Sequence, residues 1–106
     1  MANVNRLEFH EKLIKFLGNN NVYYSPPETV KLEYPCIIYS ISDVNPIHAN
    51  NISYDVKKRY QILHIYRNPD GDLIKEFSEG FSYCRFVRHY TSDNLNHDIF
   101  EIYYKN

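Results

Sequence analysis

The stretch "YDVKKRYQILHIYRNPDGD", residues 54–72, decides the fold: a long alternating segment runs directly into a turn. One register holds Tyr54, Val56, Lys58, Tyr60, Ile62, His64 and Tyr66, and the other holds Asp55, Lys57, Arg59, Gln61, Leu63 and Ile65. Successive side chains of a strand point to opposite faces. The spacing therefore predicts a strand over Tyr54–Tyr66 whose first half is polar on one side and whose second half is apolar on both. Such a strand starts beyond the core and finishes inside it. The "NPDGD" of Asn68–Asp72 is a turn followed by a cap. It leads into a short helix, "DLIKEFSEGF", that sets Leu73, Ile74 and Phe77 against the sheet and is stopped by Gly80.

Upstream of that strand, "CIIYSISDV" (Cys36–Val44) is rich in β-branched and aromatic residues, with apolar groups on both faces, and reads as a central strand. Between the two lies "NPIHANNIS", Asn45–Ser53, which has a turn-forming start and no period; it reads as a wide hairpin loop or a protruding arm. Further upstream, "VYYS" (Val22–Ser25) is a candidate short strand, broken by Pro26 and Pro27, each of which lacks a backbone donor. The chain opens with a helix over Arg6–Leu17. Leu7, Phe9, Leu13, Ile14, Phe16 and Leu17 share one arc, Asn5 is the cap, Glu8 completes a capping box, Val4 staples to Phe9, and Gly18 ends the helix. Downstream, "FSYCRFVRHY" and "HDIFEIYYK" are two strands flanking "TSDNLN", a loop of hairpin length.

The element order is α-β-β-β-α-β-β, or one strand fewer if Val22–Ser25 does not pair. The expected fold is α+β: residues 1–106 as a single domain, one mainly antiparallel sheet with two helices on one face. A chain of 106 residues supports one core. Its 43% hydrophobic and 24% charged composition is that of a globular protein. A net charge of −1 disfavours a dedicated nucleic-acid binder. The N-terminus lacks an apolar signal core and no run reaches bilayer-spanning length, so folding in a cytoplasm is expected. The 11 tyrosines suit surfaces buried on assembly, or simply strands.

Catalytic signatures are missing. There is no GxSxG elbow, three glycines cannot build a phosphate loop, and Cys36 and Cys84 sit inside strands as buried thiols rather than in a metal or disulfide pattern. His89, His97 and Asp98 flank the last hairpin and are compatible with a surface metal site, but neighbours such as His97 and Asp98 point to opposite faces of a strand. Ordinary polar hairpin residues are the better reading. His10, His48 and His64 share no motif and are expected to be structural or solvated. Neither catalysis nor a metal or other cofactor is expected. The triplet Lys57, Lys58 and Arg59 is split across two faces. That suits an edge-protecting solvated strand end, or ion pairs to a neighbouring subunit, better than a phosphate track.

Taken together, "YPCIIYSISD", "ISYDVKKRYQILHIYRN", "LIKEFSEGF" and "RFVRHYTSDNLNHDIFEIYY" resemble the tail-completion, or tail terminator, proteins of long-tailed bacteriophages, over Leu7–Tyr104. The resemblance implies a virion structural protein that forms a ring, expected to be a hexamer. That ring caps the tail tube at its head-proximal end, halts tube polymerisation and offers a surface to the head connector, while DNA passes through the lumen without specific binding. A head-completion or neck protein of the same virion is the alternative, and a small ligand-binding domain or enzyme the more distant one. By the same resemblance, Tyr34 and Pro35 match the lead-in to the second strand, and Asp93, Asn94 and His97 match the final hairpin. The subunit or tube contacts fall on the arm and adjoining strand end: Asn45, Ile47, His48, Asn50, Asn51, Tyr54, Lys57, Lys58 and Arg59. The short Asn-rich arm departs from the family pattern.

Overall fold

A computed structural model describes residues 4–49 and 52–105, with side-chain surroundings for residues 6–42 and 58–104. The order is α1 (Val4–Leu17), β1 (Val22–Tyr24), β2 (Cys36–Ala49), β3 (Ile52–Tyr66), α2 (Ile74–Gly80), β4 (Cys84–Ser92) and β5 (Leu95–Lys105). The strands form one sheet in the order β1-β2-β3-β5-β4. β1 runs parallel to β2, and every other pair is antiparallel. This is the α+β architecture that the residue pattern predicts, short strand included.

Both helices lie on one face of the sheet, because Phe9 and Leu13 of α1 and Phe77 of α2 share a cluster with Ile37, Tyr39, Tyr60, Ile62, Phe100 and Ile102. Phe9 is its hub, stacking on Tyr60 at 4.7 Å between centroids and meeting Tyr39 and Phe81 edge-on. Burying each such ring contributes about 1.5–3 kcal/mol. Leu7 departs from the expected arc and is half exposed. It sits two residues, or about 200°, from Phe9 on the helix, so it cannot share the inward line of Phe9 and Leu13. The helix also begins at Val4, which places Asn5 within the first turn instead of at the cap. Gly18 closes it as expected: φ is +86° and its N–H donates to Ile14 O at 2.8 Å.

α2 is shorter than predicted, and Ile74 faces outward while Leu73 and Phe77 pack inward. Gly80 is its last residue and abuts Phe16 of α1. On the opposite, open face of the sheet a smaller cluster of Cys36, Ile65 and Leu95 is covered in part by Leu32 and Tyr34 from the 25–35 segment.

Two loops proved shorter than the sequence suggests. β4 and β5 are joined by Asp93 and Asn94 alone, both left-handed (φ 53° and 62°), so "TSDNLN" is mostly strand and Ser92 pairs with Leu95. Asp and Asn are the side chains that best tolerate that conformation in a two-residue hairpin turn. Likewise Asn45–Ser53 is no loose loop. β2 and β3 stay in register from Cys36↔Ile65 to Ala49↔Ile52, with irregularities at Ser42 and beside Ile47.

Candidate functional site

The β2–β3 hairpin outruns the rest of the sheet. β5 pairs with β3 only from Lys57↔Lys105 to Tyr66↔Asn96, so Pro46–Ala49 and Ile52–Val56 pair only with one another among the described residues. At about 3.3 Å per residue, five residues of ribbon extend roughly 16 Å past the end of β5. Of the proposed contact residues, Asn45 pairs with Lys57 and Ile47 with Asp55, His48 pairs with Ser53, and Tyr54 is the unpaired residue of the local irregularity. Asn50 and Asn51 lie outside the described residues. Lys58 and Arg59 stand at the root of the ribbon, opposite Val44 and Asp43 on one side and Tyr104 and Tyr103 on the other.

Arg59 has partners within its own chain. Its Nε donates to Ser42 Oγ at 3.0 Å and stands 3.8 Å from Glu101 Oε2. Ser42 Oγ in turn donates to the Arg59 carbonyl at 3.0 Å. Glu101 Oε1 takes both Nε (3.1 Å) and Nη2 (2.7 Å) of Arg85. This Arg–Glu–Arg array lies on the open face of the sheet and floors a shallow concavity of about 380 Å³ walled by Tyr83 and Tyr103. Arg85 is 71% exposed and Glu101 only 20%, so the array is anchored at the carboxylate and wet at the rim. Exposed ion pairs of this kind contribute about 0–1 kcal/mol. Their effect is orientation more than stability: both guanidiniums converge on the one carboxylate.

A second polar group emerges under the β4 edge, and residue spacing does not reveal it. Asp98 is wholly buried; its Oδ2 accepts from Tyr66 Oη at 2.7 Å, and its Oδ1 lies 2.5 Å from His89 Nδ1. A carboxylate oxygen accepts, so the proton on that His nitrogen is the donor. His97 is on the other face, stacked on Tyr90 at 4.5 Å, as strand alternation requires. Among the described residues no three His, Cys, Asp or Glu side chains gather to hold a metal. Burial, and then the bond to Asp98, push the Tyr66 hydroxyl well above its ordinary range. His64 stacks on Tyr66 at 4.5 Å, is 1% exposed, and its Nδ1 has no partner. Burial brings its pKa down to about 4, against a smaller opposing pull from Asp98 and Asp72.

His10 links α1 to the sheet: its Nδ1 lies 2.6 Å from Tyr39 Oη, which also accepts from Arg6 Nη1 at 3.2 Å. The tyrosine therefore donates to a neutral imidazole, and burial followed by the Arg6 charge lowers the pKa of His10. Both thiols are free; Cys36 is buried, and burial raises its pKa to about 11, so it is inert at neutral pH. No helix is long and apolar enough to cross a membrane among the described residues.

Compared with models of known protein families and with curated protein sequences, the chain matches none.

Proposed function

We propose that this protein is a structural component of a long-tailed phage virion: a ring, expected to be hexameric, that caps the tail tube, stops its polymerisation and receives the head connector. The observation that carries this reading is the β2–β3 ribbon, which continues past Lys57↔Lys105 and contributes no strand pairing to the domain below it. A paired extension of that length costs chain entropy and exposes strand edges, so it needs a partner to justify it. Tyr54, Lys57, Lys58 and Arg59 stand along or at the base of it, which supports their role as contacts to a neighbouring subunit or to the tube. The Arg59–Glu101–Arg85 array offers the mixed charge suited to an interface that must be specific without gripping DNA phosphates.

Light scattering of the purified protein, followed by negative-stain imaging with and without tail tubes, tests the reading. Rings of about six copies, alone or seated on tube ends, are the expected result by closed heterologous assembly. A strict monomer that ignores tube ends and binds a small molecule would overturn it. Replacing residues 46–56 with Asn-Gly joins the paired Asn45 and Lys57 through a two-residue turn. This variant should still unfold in one cooperative transition and lose ring formation or tube capping.

A further inference from the structure

The sheet has two long bare edges. β4 is the last strand; among the described residues it pairs only with β5, and Val87 is skipped at an irregularity. On the other side β1 covers β2 only at Ile37–Tyr39, with Ser25 N–H donating to Tyr39 O at 2.9 Å; among the described residues, no strand covers Ser40–Ala49 on that side. We propose that these two edges meet between copies of this chain: β4 of one copy pairs antiparallel with the distal half of β2 in the next, Arg88 opposite Asp43. This deepens the ring reading above and rests on it.

Three independent features of the chain support the choice of a second copy. First, charge is complementary: residues 81–92 contain no acid and carry Arg88 beside the Glu101-paired Arg85, while residues 40–49 carry Asp43 and no Lys or Arg. Second, the faces agree. Arg88 is in register with Ile99 on the open face, and Asp43 holds the register position opposite Arg59 of β3, also on the open face.

Third, the stagger is right. Traced through Ile99 and Leu63, Arg88 is level with Ile38, so reaching Asp43 of the next copy means a shift of four to five residues. At about 3.3 Å per residue that is roughly 13–17 Å, taken over four strand spacings of about 4.8 Å each. The resulting tilt is roughly 35–40°, the tilt at which sheets close into barrels. Strands carried around an axis along the barrel keep their up or down sense, which makes β4 and the neighbouring β2 antiparallel.

The hairpin fixes which backbone groups are available. In a two-residue turn Ser92 and Leu95 exchange hydrogen bonds, so Tyr90 and Arg88 also bond inward to β5, while Thr91 and His89 present N–H and C=O outward. Phe86 and Val87, 40% and 39% exposed on the bare strand, are the apolar residues that the neighbour would cover.

The experiment is an assembly titration by light scattering with negative-stain imaging, run on wild type, Arg88→Asp, Asp43→Arg, the Arg88→Asp/Asp43→Arg pair and Thr91→Pro. Each single charge reversal should raise the concentration for half-assembly about tenfold or more, and the pair should return it toward wild type. Thr91→Pro, which removes one outward donor and no inward one, should weaken assembly similarly. Near-ultraviolet circular dichroism certifies each fold, and the charge-swap pair carries the test if the proline variant does not fold. If wild type forms rings and the folded variants do so equally well, the edge pairing is wrong and the ring reading survives. If wild type remains monomeric on tube ends as well as alone, both fall.

Discussion

Gly80 of α2 faces the edge of the Phe16 ring of α1 so closely that a methyl group in place of its hydrogen would lie 2.3 Å from Phe16 Cζ. Phe16 is itself held edge-on by Phe77 and Phe81, at 5.8 and 5.6 Å between centroids, so the ring has little room to withdraw. Gly80→Ala should therefore destabilise the fold by about 1–3 kcal/mol through overpacking, despite alanine's better helix propensity. Urea denaturation checks this, and an unchanged midpoint would refute the close contact.

Phe77 is the one fully buried side chain of α2 and packs edge-on against Phe100 at 4.8 Å. Phe77→Ala should cost about 3–5 kcal/mol, the range for deleting a buried ring and leaving a cavity. With so short a helix otherwise exposed, the amides of 74–80 should then lose their hydrogen-exchange protection before those of β3.

Tyr66→Phe removes one of the two donors that Asp98 receives at full burial. A buried carboxylate deprived of a donor should cost about 1–3 kcal/mol, seen as a lower denaturation midpoint. The Tyr66→Phe/Asp98→Asn pair should cost less than the two singles combined, which a double-mutant cycle would measure.

His64 predicts a pH dependence of definite sign. Its folded pKa of about 4 lies below its ordinary 6.5, so the unfolded chain takes up the proton first as pH falls. The contribution is intact above pH 6.5 and is lost through the window from about 6.5 down to 4, by up to about 3 kcal/mol. His10, also lowered, adds in the same direction. Denaturation midpoints measured from pH 7.5 to 4 should fall steeply for wild type and less steeply for His64→Phe, which keeps an aromatic ring on Tyr66.

The β4–β5 turn depends on two left-handed residues. Asn94→Gly should be neutral or stabilising by a few tenths of a kcal/mol, about the gain for relieving a positive φ. Asn94→Val should cost about 1–2 kcal/mol, because a β-branched side chain clashes in that conformation. Thermal melts of the two variants should straddle that of wild type.

What the residues disclose in advance is what period and punctuation encode: Phe9 and Leu13 at helical spacing, the alternation of Tyr60–Tyr66, Gly18 after α1, and the element order. What they conceal comes from pairing at a distance or from weak local preference. Pro46 and the asparagines of 45–51 carry poor strand propensity, yet β2 and β3 continue through Ala49 and Ile52 because each supplies the other's partners. Asp98, His89 and Tyr66 meet only because β5 inserts between β3 and β4, a register that local spacing does not contain. Gly80 reads as a stop signal, and its service as a contact point for Phe16 emerges only when two helices cross the same face.

The insertion of β5 also divides the molecule along a line. β2–β3 and β4–β5 are each hairpins closed by neighbouring residues, and one seam sews them together, β3 to β5, across about 30 to 50 positions of intervening chain. Local hairpins form in microseconds, whereas such distant strands must first surrender the entropy of a long loop. Closure of that seam is then the slow stitch in folding. A nick within the exposed 68–71 bend should leave two fragments able to find each other again, each bringing one ready-made half of the sheet.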